Sequence, residues 1–519
     1  MEFNIKDKKE LLLLTIISTV LVTYYIIFNT KLGIYCSDVY VYLLNALYYS
    51  GTNIHSNRSI YLSPIVCFLT SLIFDLGYVD KAAIFIVTGI LAIIGNIGLY
   101  LLLRLKFDKL LSLTGAIIYS TLALNLAWLA NGSLDIPAVT FTIWLVYSAI
   151  LAMKKNPKYY IVVFPLFVIG FFTRYTVGLV LPPLILYYFY ENSFKIKRED
   201  IKYILTGLTL AIILFAIITT TITVMGDGNL VFDGLLSSGV GGNLGSTHDN
   251  SYNPDFGYYL VNMGNFISSS NTTFVAKTPV LNNPTPLAGL VFLILIVGAA
   301  LWAKRNKFEF TKTEIAGIII CLIALITFSW FTSTITIIMT MIGLFLIGKD
   351  SKYKMGFFML GWILAYLAFQ SYYIVKVNRY IIPIFPPLVY FIMVAVNEIN
   401  VKLNKKSILP IILIVLFLIQ GFAFVHTFEE TDEFNAPEKM TNYIKENVDN
   451  WENIQIGNYN IRPYYWYLGR NSPGIESSAT QKILDSNVTY YISNVKQKNL
   501  TNYTEVTQIE NLHLYRKNI

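Results

Sequence analysis

Four charged side chains stand in or beside strongly apolar stretches: Asp38 in "SDVYVYLLNALYYSG", Asp135 in "NGSLDIPAV", Arg174 in "GFFTRYTVG" and Arg379 in "KVNRYIIPIFPPL". An ionised group at membrane depth costs about 2.5 to 3.5 kcal/mol on insertion scales, so each calls for a partner or a purpose. A carboxylate can take the proton of a hydroxyl as a new bond forms, and guanidinium groups can hold a phosphate through charge-assisted donors. Transfer from a lipid-linked phosphate needs both. On that reading Asp38 is the general base, Arg174 and Arg379 hold the phosphate with Arg58 or Lys376 as helpers, and Asp135 orients an arginine or meets sugar hydroxyls.

Each residue also has a plainer reading. Ser37 and Asp38, and Ser133 or Asp135 followed by Pro137, suit the amino-terminal turns of helices. Arg174 and Arg379 suit the headgroup zone, although Arg379 beside Lys376 puts positive charge on the face where it is disfavoured. A lipid phosphate leaves as a stable anion and needs no general acid, so one carboxylate suffices. The first loop holds no D-x-D, so no cofactor is required; a divalent metal on converging acids is the less favoured alternative. His55 and His248 are isolated, and Cys36, Cys67 and Cys321 have neither metal-type spacing nor an even number.

The elements that position these residues follow from composition. Of 519 residues, 55% are hydrophobic and 13% charged, against roughly 25% charged in soluble domains. Apolar runs long enough, or nearly so, to cross a hydrocarbon core of about 30 Å recur as far as residue 426. The net charge of +8 does not point to nucleic acid, because the basic residues fall in short clusters between apolar runs. Clusters such as Arg104/Lys106/Lys109, Lys154/Lys155/Lys158, Lys304/Arg305/Lys307 and Lys349/Lys352/Lys354 mark the cytoplasmic side.

Keeping all of them inside requires residues 60–78 to lie along the outer face or re-enter. The expectation is an all-α polytopic membrane protein of about thirteen transmembrane helices with a small α/β extracytoplasmic C-terminal domain. Residues 1–426 form the membrane domain, with outer loops at 31–79 and 225–285, and residues 427–519 form the outer domain. The amino terminus is cytoplasmic and the chain sits in the cell membrane. The spans include 111–129, 131–153, 159–173 and 175–190. "PEKMTNYIKENV" reads as an amphipathic helix, and "NIQIGN", "VTYYIS" and "LHLYRK" read as strands. The glycines of "SSGVGGNLGS" leave the long loop without a fixed conformation of its own. N-x-S/T acceptor patterns at Asn57, Asn131, Asn271, Asn487, Asn499 and Asn502 all fall on the expected outer side.

The order of "SDVYVYLLNALYYSG", "IYLSPIVCFLTSLIFDLGY", "GSLDIPAV", "GFFTRYTVGLVLPPLILYY" and "NRYIIPIFPPLVYF" resembles the GT-C superfamily of membrane glycosyltransferases, nearest the protein O-mannosyltransferase and lipid A aminoarabinose transferase type. The resemblance implies a glycosyltransferase that uses a polyprenyl-phosphate-linked (dolichyl phosphate type) sugar donor. Its acceptor, a protein, lipid or glycan, lies outside the bilayer, and the catalytic acid lies in the first outer loop, where Asp38 stands. Two other classes fit the bare charges: a transporter or lipid flippase, which places them near the midplane and often shows repeated halves, and a non-catalytic scaffold with an outer binding domain.

Overall fold

The computed structural model describes residues 7–52, 62–192, 197–225, 252–306, 310–349, 351–404 and 407–518. The chain divides into two compact units: residues 1–24 with 88–429, and residues 25–87 with 430–519.

The first unit is helical. Among the described residues of the whole chain, eight helices are long and apolar enough to cross a membrane, so this is a multi-pass membrane protein. Asp135–Lys154 packs on Tyr160–Thr173, which packs on Arg198–Met225. Pro286–Arg305 packs on Phe385–Leu403, and Lys312–Ile326 on Ser333–Gly348. Lipid supplies no hydrophobic force between helices, so close approach of small residues decides these contacts. A Cβ on Gly298 would collide with the Ala395 Cα, and one on Gly317 would stand 2.6 Å from the Gly343 carbonyl oxygen. Arg198–Met225 turns Ile212, Ile213, Ile217 and Val224 outward, the arrangement of a lipid-facing helix.

Two expected features differ. The run 111–129 is not one helix: Lys109–Ser120 stops, and a short helix, Ala123–Ala127, follows. Side chains have taken over the carbonyls that would continue it. Asn125 Nδ2 donates to the Tyr119 carbonyl at 2.5 Å and Gln420 Nε2 to the Thr121 carbonyl at 2.6 Å. The long loop is only partly irregular. "SSGVGGNLGS" lies outside the described residues, but Ser269–Val275 and Thr278–Pro284 form an antiparallel hairpin with Val275 opposite Thr278. Its two-residue turn, Ala276 and Lys277, has both φ values positive, 48° and 63°, the twist that closes hairpins tightly.

The second unit holds the helices Ser37–Tyr49 and Pro64–Asp75 together with the tail. At 12 residues, Pro64–Asp75 is about 18 Å long and too short to cross a bilayer. The tail is α/β. Its sheet runs in the order Ile456–Asn458, Tyr490–Ser493, Leu512–Lys517, Tyr503–Ile509, the first pair parallel and the others antiparallel. The helix Ala436–Asn447 buries Ala436, Met440 and Ile444, spaced by four, against Ile492, Leu512 and Leu514 of the sheet. A second tail helix, Ile461–Leu468, packs on Ser37–Tyr49. There Tyr467 meets Tyr40 edge to face, and Trp466 stacks on Phe74 of Pro64–Asp75, both at 5.9 Å. Gly33, at φ +97°, lets the backbone pass Phe434, whose carbonyl a Cβ would meet at 2.6 Å. Cys36 and Cys67 are both buried.

Candidate functional site

Asp135 opens the helix Asp135–Lys154, but its side chain caps nothing, and neither does that of Leu134 before it. Instead the carboxylate is 1% exposed and lies between two guanidinium groups, with Oδ1 3.0 Å from Arg174 Nη1 and Oδ2 3.6 Å from Arg379 Nε. Neither contact is a hydrogen bond, the second being too long for one, so the attraction is Coulombic. Such pairing is what the burial of a charge demands.

Backbone irregularity delivers the arginines. Arg174 is extended, at φ −159° and ψ 127°, between the helix Tyr160–Thr173 and the 3₁₀ turn Tyr175–Val180. Arg379 lies in another 3₁₀ segment, Asn378–Ile384, which enters the helix Phe385–Leu403. Aromatic faces hold both groups: Arg174 lies 4.9 Å from the Tyr380 ring, and Arg379 lies 4.9 Å from the Trp128 ring. Trp128 is fixed in turn, its Nε1 donating to Asn378 Oδ1 at 3.1 Å, and Asn378 donates to the Pro279 carbonyl of the hairpin. One carboxylate and two guanidinium groups leave a surplus of positive charge in a largely buried setting, an arrangement suited to an anion.

Lys376 has a different place. Its ammonium donates to the carbonyls of Gln370 at 3.2 Å, Ser371 at 2.7 Å, and Tyr373. These close the carboxy-terminal end of the helix Lys354–Tyr372. The expected phosphate helper is therefore a helix cap with its donors committed to the backbone. Burial pushes the Lys376 ammonium down to about 8, and Asp255 opposes that shift.

Asp38 lies in the first turn of Ser37–Tyr49, where Cys36 holds the cap position and the helix start has no side-chain cap hydrogen bond. Its carboxylate is 41% exposed, and its Oδ1 is 3.6 Å from Nη1 of Arg462 in the tail helix. Arg58 lies outside the described residues, as do His55, His248 and Asn57. Asn131, counted among the outer acceptor patterns, is 3% exposed, and its Oδ1 accepts from the Ser133 amide at 2.9 Å, so in this fold it is not open to modification. Among the described residues no three His, Cys, Asp or Glu side chains cluster in a way that could hold a metal ion.

Trp128, Tyr380 and Arg462 complete these arrangements without a separate signal in sequence. Tyr380 adjoins Arg379, and Trp128 precedes "NGSLD", but neither neighbourhood says that a ring faces a guanidinium.

The profile of the dolichyl-phosphate-mannose-protein mannosyltransferase family matches residues 62–219, less than half of the chain. ArnT from Cupriavidus metallidurans, solved bound to undecaprenyl phosphate, superposes with a TM-score of 0.65 at 10% identity over 97% of each chain. The chain shares its fold with this ArnT. The apo state of the same ArnT gives a TM-score of 0.61 at 9% identity over 97% of each chain. The oligosaccharyltransferase AglB from Archaeoglobus fulgidus, in complex with an inhibitory peptide and a dolichol-phosphate, is more distant. It reaches a TM-score of 0.45 at 10% identity over 92% of this chain and 69% of that one. No curated protein matches the sequence. Within this fold, Asp135, Arg174 and Arg379 bring three distant stretches of chain to one largely buried charged cluster.

Proposed function

We propose that this chain is a membrane glycosyltransferase that moves a sugar from a polyprenyl-phosphate-linked donor to an acceptor hydroxyl outside the bilayer. The observation that carries the reading is the buried Asp135 between Arg174 and Arg379. It is supported by a fold shared with ArnT, a protein solved bound to undecaprenyl phosphate. A transporter would be expected to keep its charges near the midplane; here Asp135 and both arginines stand at helix ends.

In the proposed reaction the acceptor oxygen attacks the anomeric carbon and its proton passes to the Asp38 carboxylate. The bond from that carbon to the phosphate oxygen breaks with its electron pair on the oxygen, and the lipid departs as a phosphate monoester. Charge grows on that phosphate as the bond breaks, so preorganised donors lower the barrier. Arg174 and Arg379 supply them, and Asp135 and the aromatic faces hold them in orientation. Arg58 is a further candidate donor from the first loop. Arg462, beside Asp38, would stabilise the ionised base between turnovers.

The test is Asp38→Asn in reconstituted membranes with a labelled polyprenyl-phosphate sugar. Asn and Asp occupy a helix start about equally well, so the variant should fold and bind donor while transfer falls by about 10² to 10⁴-fold. Wild-type transfer by a folded Asp38→Asn protein would remove the base from this residue. The orientation proposed with it puts the amino terminus and the Lys106 cluster in the cytoplasm and the tail outside. An impermeant thiol reagent on intact cells should label Asn487→Cys and leave Lys106→Cys untouched; labelling of Lys106→Cys would reverse the topology.

A further inference from the structure

At the far end of the helix that begins with Asp135 there is a cavity of about 840 Å³. The helix Asp135–Lys154 is 20 residues long, about 30 Å at helical rise, so this cavity is distinct from the arginine pair. We infer that it is a second ligand site, one that takes the phosphate headgroup of an anionic phospholipid.

Among the described residues its lining includes Lys106, Lys154, Lys155, Lys349, Lys352 and Lys354, with Glu191 as the acid; Asp350, next to Lys349 in sequence, lies outside the described residues. These come from separate stretches of chain: the turn after Lys81–Leu103, the end of Asp135–Lys154, and the connection into Lys354–Tyr372. At least three of the six make contacts inside the protein, Lys352 among them at 5.1 Å from the Tyr353 ring. Lys154 pairs with Glu191 at 3.2 Å and Lys354 donates to the Tyr190 carbonyl at 2.6 Å. The positive-inside bias explains why lysines collect on one side of a membrane, and the helix dipole favours those beside a carboxy terminus. Neither explains why lysines from three stretches border one hollow, since like charges on separate loops lower their energy by facing apart into water. A concave basic surface concentrates anions.

The remaining wall identifies the anion. Leu105, Ile150, Leu151 and Met355 line the same cavity. A free phosphate gains nothing from such a wall, whereas a lipid sets its glycerol and first methylenes against it while the headgroup meets the lysines. Basic pockets between helices near a bilayer surface recognise lipid headgroups by this combination.

The experiment uses the full chain in phosphatidylcholine nanodiscs, with binding of short-chain phosphatidylglycerol read by thermal shift and native mass spectrometry. Lys106, Lys155 and Lys352 are exposed, so Lys106→Gln, Lys155→Gln and Lys352→Gln combined should fold. Each should weaken binding roughly fivefold and the three together about a hundredfold. The control Lys304→Gln with Lys402→Gln, away from the cavity, should bind as wild type. Should the triple variant melt early in phosphatidylcholine alone, the single variants carry the same comparison. Equal binding by wild type and cavity variants, or an equal drop in the control, would overturn the site. Inorganic phosphate added alone should produce no lysine-dependent shift; if it matches phosphatidylglycerol, the ligand is free phosphate and the lipid assignment fails. The readout is binding, so the outcome is independent of whether the chain transfers a sugar.

Discussion

The two ends of the helix Asp135–Lys154 solve opposite problems with positive charge. At the Asp135 end the cations are arginines, 19% and 10% exposed, locked to a buried acid and held against Tyr380 and Trp128. At the Lys154 end they are lysines, many of them exposed, around an open hollow with Glu191 as the one acid among its described lining residues. A planar guanidinium gives up water more readily than an ammonium and keeps its donors in a fixed fork. The buried end therefore suits a phosphate that must be held in one orientation while a bond breaks. The open end suits a headgroup that only has to be near, since hydrated lysines on flexible stems adapt to many positions.

The sharpest way to break this contrast is to remove the acid at each end. Asp135→Asn leaves two guanidinium groups partly buried without their counter-charge, which should cost about 3 to 5 kcal/mol of stability. Glu191→Gln removes an acid from an exposed lysine, and such pairs are worth about 0 to 1 kcal/mol. Denaturation of both variants in the same detergent should separate them clearly. Equal destabilisation would mean that the Asp135 cluster is as solvated as the lysine cavity and is not preorganised.

A smaller effect is expected from exchanging the cations. Arg174→Lys and Arg379→Lys keep the charge but give up the planar fork and its aromatic stacking, so donor affinity should fall by about 1.5 to 3 kcal/mol for each charge-assisted hydrogen bond that lysine fails to make. Lys155→Arg at the other end should leave anionic-lipid binding intact, because a point charge is all that end uses. Donor titration against the Arg→Lys variants decides it, and unchanged affinity would reduce both arginines to interfacial anchors.

How far these ends could be read from sequence depends on which physics is local. Charges in apolar runs are conspicuous because they are costly, and so Asp135, Arg174 and Arg379 were all visible as candidates. That they meet was not visible, since a contact between residue 135 and residue 379 leaves no local pattern. The tail helix Ala436–Asn447 was legible from its spacing of four, whereas the hairpin Ser269–Pro284 was hidden because Ala276 and Lys277 carry none of the Asn-Gly chemistry that marks such turns. The break after Ser120 depends on Gln420, three hundred residues on, reaching the Thr121 carbonyl. Likewise the stretch 31–79 belongs to the same compact unit as the tail, and Arg462 reaches Asp38 through tertiary structure alone.

Lys376 gives the finest test, because it is a lysine at the arginine end. As a phosphate ligand it would have to stay charged and would bind donor more weakly as pH rises through 8. As a cap on Gln370, Ser371 and Tyr373 it should leave donor affinity flat across that range. Its stability signature has the opposite sign from a salt-bridged lysine. Burial lowers the folded value to about 8, while the unfolded side chain titrates near 10.4. Below 8 both states hold the proton and the burial cost of the charge is present in full. Between about 8 and 10 the folded chain releases a proton that the unfolded chain keeps, so this group's contribution to stability rises with pH. Wild type should therefore lose less thermal stability than Lys376→Gln over that window, by about 1 to 2 °C in a chain of this size. Parallel melting curves for the two proteins would show that the ammonium is solvated, and a donor affinity that falls with pH in wild type alone would return Lys376 to the phosphate.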